Sequence, residues 1–153
     1  MMSGRGAGPR ELEISRTFDA TPERLWKAWT DPTVMARWLH PHGLHTPEET
    51  VSVDLRVGGV FRFSMIDQAG ASFESGGEYL ELREPEFLRC TWGAPDAPVA
   101  EIEVRLAPVD GGRTQMTFRL LGAVDDTGHE DSVWTGWREA IAELMAEMGE
   151  AHG

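Results

Sequence analysis

A chain of 153 residues has the size of one ordinary domain, and 41% apolar with 26% charged residues argues against general disorder. Its net charge of −12, from 26 acids against 14 bases, repels phosphate backbones and so argues against a nucleic-acid partner. No apolar run approaches the ~20 residues of a membrane helix, and the single cysteine, Cys90, leaves no internal disulfide and fits a reducing cytoplasm.

Residues 1–9 lack the apolar segment of a secretory signal and are expected to form a flexible leader to one domain over 10–149. From Arg10 to Phe18, Leu12, Ile14 and Phe18 alternate with Glu11, Glu13 and Ser15, the period of a half-buried strand. Arg16 falls on the apolar parity, so it either snorkels at the strand end or points inwards. Thr21 then offers a helix N-cap and Pro22 suits the first helical position. Leu25, Trp26 and Trp29 form the apolar side of that helix, and Asp31-Pro32 stops it and starts a second short one carrying Met35, Trp38 and Leu39. Residues 40–50, rich in Pro, Gly and His, read as a loop.

Six strands are predicted next. They lie at about Thr50–Leu55, Val60–Met65, Ser72–Leu82, Phe87–Gly93, Val99–Leu106 and Thr114–Leu121, the last two joined by the hairpin signal Asp110-Gly111-Gly112. The period then changes. Trp134, Trp137, Ile141, Leu144 and Met148 recur at steps of three and four, the stripe of a helix from about Glu130 to Met148. Short connections imply an antiparallel sheet, and its apolar face needs the long helix as a cover. The predicted class is therefore α+β: a curved antiparallel sheet wrapped around a long C-terminal helix, with two short helices after the first strand.

Four motifs in this order carry a family resemblance: residues 18–32, FDATPERLWKAWTDP, followed by Trp38; residues 54–61, DLRVGGVF; residues 77–82, GEYLEL, running through Pro85 to Leu88 and Thr91-Trp92; and Gly136-Trp137 in the terminal helix. Over residues 11–148 the sequence resembles the helix-grip, START-like (SRPBCC) superfamily. Within it, the chain is similar to the branch of the C-terminal domain of the activator of the heat-shock-protein-90 ATPase, with its association with the stress response. The resemblance implies a cavity between helix and sheet for a small hydrophobic or amphipathic ligand, and no cofactor. It weighs against a chaperone partner, because the full activator carries a separate N-terminal domain for which this chain is too short. A homodimer through an exposed sheet edge stays open.

In such a fold the inward positions are the candidate ligand contacts: Phe61, Phe63 and Met65 on one strand, Tyr79 and Glu81 on the next, then Trp92, Met116 and Phe118, with Trp134, Trp137 and Ile141 from the helix. Trp rings with a polar N–H suit amphipathic ligands, and Met gives adaptable apolar surface; either type equally serves ordinary core packing. Tyr79 and Glu81 share a parity, which makes Glu81 the weak catalytic candidate: an inward carboxylate must be paired or functional. A solvated or ion-paired Glu81 is the plainer alternative. His40, His42 and His45 lie close together but lack an accompanying cysteine or well-spaced acid, so no metal site is expected. That loop borders the cavity mouth in helix-grip folds, which makes a histidine contact to ligand a secondary expectation. Cys90 shares the parity of Leu88 and Trp92 and reads as a buried inert thiol. No phosphate-binding glycine loop, nucleophile elbow or H-E-x-x-H motif occurs. Three readings follow: a small-molecule binding module, a cyclase- or hydrolase-like enzyme using Glu81, and a protein-interaction module.

Overall fold

The computed structural model describes residues 11–94, 97–122 and 130–149. The leader expected over residues 1–9 lies outside them. Strand β1 (Glu11–Phe18) buries Leu12, Ile14 and Phe18 and exposes Glu11, Glu13 and Ser15, as its alternation requires. Arg16 snorkels: it is exposed, and its Nη1 donates to the Ser15 carbonyl at 2.8 Å. Helix α1 (Pro22–Thr30) starts where the Thr21 hydroxyl accepts from the Arg24 amide at 3.2 Å. Asp31 serves two helices. Its amide donates to the Lys27 carbonyl at 2.8 Å to end α1, and its carboxylate accepts from the Thr33 amide at 2.9 Å to begin α2 (Pro32–Trp38). The buried Trp38 indole donates to the Ala28 carbonyl at 2.7 Å and fixes the angle between these helices.

The remaining strands are β2 (Leu44–His45), β3 (Ser52–Val53), β4 (Val60–Asp67), β5 (Ser72–Arg83), β6 (Phe87–Ala94), β7 (Ala97–Val109) and β8 (Arg113–Leu121), followed by helix α3 (Glu130–Met148). The eight strands form one antiparallel sheet in the order β1-β8-β7-β6-β5-β4-β2, with β3 paired to β4. The loop expected over 40–50 thus contains a short strand, and a 3₁₀ turn at Glu48–Thr50. The strand expected at 50–55 shrinks to two residues because Asp54 to Gly59 close a turn, with the Arg56 amide on the Asp54 carbonyl at 2.9 Å and the Gly59 amide on the Arg56 carbonyl at 2.8 Å. On β5, Gly77 meets β6 so closely that a Cβ would overlap the Thr91 carbonyl. The Thr91 hydroxyl there accepts from the Glu78 amide at 2.9 Å, and the β5–β6 register shifts between Tyr79 and Glu81.

Helix α3 lies across the concave face and buries Trp137, Ala140, Ile141, Leu144 and Met148. Its C-terminus is tied down by the Asp19 amide on the Gly149 carbonyl at 3.0 Å and by the Arg37–Glu147 ion pair at 3.1 Å. No helix among the described residues is long and apolar enough to cross a membrane.

The convex face is charged. Arg119 on β8 stands between Glu13 of β1 and Glu103 of β7, and reaches Glu11 at 2.7 Å, Glu103 at 3.0 Å and Glu13 at 3.7 Å. The hydrogen bond from Arg119 holds the Glu11 carboxyl below its ordinary value of 4.5. A depressed carboxyl stabilises the fold above its unfolded pKa and loses that contribution as pH falls through the lower folded value. Arg119→Gln is therefore expected to lower stability by about 1 kcal/mol at neutral pH, screening included. Thermal melts of the two proteins should converge below pH 4.5; a gap that ignores pH would refute the assignment.

Candidate functional site

Between the N-terminal half of α3 and the sheet lies a cavity of about 160 Å³. Three elements shape it. The loop after α2 supplies Leu39, His40 and Pro41; the sheet supplies Phe63 and Met65 from β4 and Trp92 from β6; α3 supplies Gly136, Trp137 and Ala140. Almost all of this wall is carbon. Its loop side is fastened to α3 by His42, whose amide donates to the Glu139 carboxylate at 2.9 Å, with its ring nitrogens 3.7 Å from Glu139 and 3.5 Å from Glu143. A second void of about 20 Å³ is bordered by Trp29, Phe61, Tyr79 and Cys90, and shares Leu39, Phe63, Trp92 and Trp137 with the first. The shared rings form the partition. Trp92 meets Trp137 edge to face at 5.5 Å, and Phe118 backs Trp137 at 4.8 Å.

Of the residues nominated from sequence, Phe63, Met65, Trp92 and Trp137 line the larger cavity, and Phe61 and Tyr79 border the smaller void. Met116, Phe118 and Ile141 are buried in the core and touch neither space. Trp134 is partly buried against that core and also lines neither. Glu81 requires a correction. Parity placed it with Tyr79, but the bulge inserts an extra residue between them. Tyr79 stands opposite buried Cys90, whereas Glu81 stands opposite Arg89. Glu81 therefore turns to the convex face, where its 41%-exposed carboxylate pairs with Arg83 at 3.0 Å. Of the three loop histidines, His40 lines the cavity, His42 clamps the loop and His45 is exposed on β2. No cluster of metal-ligating side chains occurs among the described residues.

Leu39, Pro41, Gly136 and Ala140 were not nominated. A signal for the last two existed: small residues one turn apart on an otherwise bulky buried stripe mark where a helix leaves room. Chemically the interior is quiet. Burial first, then the Glu101 charge, pushes the Cys90 thiol up and leaves no thiolate nucleophile. Burial likewise raises the Tyr79 hydroxyl, aided by Cys90 and Asp54. The Tyr79 hydroxyl and the Trp29 and Trp92 indole N–H groups, all from residues bordering the smaller void, have no hydrogen-bond partner among the described residues.

The fold, a sheet curled about a terminal helix, has close counterparts. The family model "Activator of Hsp90 ATPase homolog 1-like protein" matches residues 19–149. The chain belongs to this family. Solved structures agree with the assignment. A protein from Chromobacterium violaceum is 28% identical, with a TM-score of 0.79 over 93% of this chain and 99% of that one. A Nitrosomonas europaea protein is 25% identical, with a TM-score of 0.77 over 90% and 93%. An AHSA1-like protein from Aeromonas hydrophila is 26% identical, with a TM-score of 0.65 over 93% and 98%. No curated protein matches the chain. Membership of the Hsp90-activator-like family, and through it of the START-like superfamily, gives a fold that generally holds hydrophobic ligands.

Proposed function

We propose that this chain is a binding module that holds one small hydrophobic or amphipathic molecule between α3 and the sheet. The observation that carries the reading is the carbon-walled pocket of about 160 Å³ between α3 and the sheet, open on one side and backed by a packed core. Apolar walls with a few polar groups are the usual composition of a small-molecule site, and protein cores of this size leave few voids larger than a water. The enzyme reading depended on Glu81 as an inward acid, and Glu81 pairs with Arg83 on the opposite face. A protein-interaction module would favour an apolar convex face, and that face carries the Arg119 and Arg89 ion pairs. A cytoplasmic location accords with the single buried thiol.

Native mass spectrometry of freshly purified protein, followed by a tryptophan-fluorescence titration with lipids, sterols and small aromatics, tests the proposal. A co-purifying molecule or a saturable change in Trp92 and Trp137 emission is expected. A chain that stays free of ligand and ignores the whole panel would shift the function to a protein partner.

A further inference from the structure

We propose that the cavity selects a small neutral phenol, whose ring lies against Phe63, Met65, Trp92 and Trp137 and whose hydroxyl donates to Nε2 of His40. This rests on the binding reading above and names its ligand class. Volume sets the first limit. About 160 Å³ compares with the roughly 150 Å³ apolar cavity that accepts benzene, so one substituted ring fills the space, and the rest of a sterol or long acyl chain would have to lie outside it. The wall sets the second. It offers ring faces and a thioether, which suit an aromatic guest.

His40 sets the third. It is the only titratable side chain among the described lining residues. Its Nδ1 lies 3.1 Å from the Pro41 carbonyl oxygen, an atom that only accepts. In the neutral ring that bond places the proton on Nδ1 and makes Nε2 an acceptor. No described residue bonds Nε2. A guest that satisfies it must therefore bring a donor, as a phenol does and its methyl ether does not. Anionic guests fare worse. The described lining residues include no lysine or arginine, and Glu139 and Glu143 flank the adjoining loop through His42.

Calorimetric titration of the full chain with 4-cresol, 4-methylanisole, p-xylene and laurate decides the matter. The wild type should bind 4-cresol roughly fivefold to tenfold more tightly than its methyl ether, the worth of one neutral hydrogen bond. His40→Leu should abolish that preference while p-xylene still binds, and His40→Gln, which keeps an acceptor, should restore part of it. Equal binding of 4-cresol, its ether and p-xylene would overturn the phenol assignment and leave the binding module standing. Binding of laurate alone would do the same. A preference that survives in His40→Leu would overturn the role of His40. No binding by any of the four would overturn the phenol proposal; the broader binding module falls only if the wider panel of lipids and sterols also fails.

Discussion

Replacing Trp137 by alanine is expected to destabilise the protein by about 3–5 kcal/mol, the usual cost of truncating a buried tryptophan. The ring is 6% exposed and stands at the centre of the aromatic cluster. It lies 6.4 Å from Trp29, 5.5 Å from Trp92 and 4.8 Å from Phe118, so three partners lose their packing together. It also borders both internal spaces, so its loss joins them into one larger void and leaves the neighbouring rings without contacts on that side. Against a total stability of ~5–15 kcal/mol such a loss is a large fraction. Thermal unfolding should shift down by roughly 6–20 °C in a chain of this size. Trp137→Phe, which keeps a ring against Phe118, should recover part of that loss. A shift of less than about 3 °C in the alanine variant would mean that α3 is held to the sheet elsewhere, and that the partition between the two spaces has little structural weight.

The elements that show most clearly in the sequence are those whose signal is local. The alternation of Leu12, Ile14 and Phe18 marks β1, the Thr21 and Asp31 caps mark the short helices, and the stripe ending at Met148 marks α3. The strands Leu44–His45 and Ser52–Val53 are too short to show any period; pairing with β4 creates them. The bulge in β5 is harder still. A strand's own alternation says nothing about two residues facing one across the ladder, so the parity Glu81 shares with Tyr79 leaves its direction open in the sequence, and in the fold it lies outward, ion-paired with Arg83. The site shows the same division. Inward parity picks out Phe63, Met65 and Trp92, but it picks out Met116 and Phe118 equally, because core and cavity residues face the same helix. What separates the two sets is the loop of Leu39 to Pro41 closing on α3, a tertiary contact held by His42 that no periodicity encodes.

Leucine at position 140 should separate binding from folding. Ala140 is 4% exposed on α3 and its side chain borders the larger cavity. Alanine and leucine are both strong helix formers, so the backbone is indifferent to the exchange. Three added carbons enter the space that a guest ring needs, and a cavity that is filled without strain stabilises a protein by about 0.5–2 kcal/mol. The expected result is a variant that unfolds at or a few degrees above the wild-type temperature and binds small aromatics at least about 100-fold more weakly, by calorimetry or tryptophan fluorescence. Trp137, backed by Phe118 at 4.8 Å, bars a guest ring from shifting deeper into the core. Undiminished binding by a folded Ala140→Leu protein would place the ligand outside this cavity, and the function would then have to be sought on the surface. A large loss of stability would show that the space collapses in solution and that leucine overpacks it, which at 1–3 kcal/mol is distinguishable from filling by the sign of the thermal shift alone.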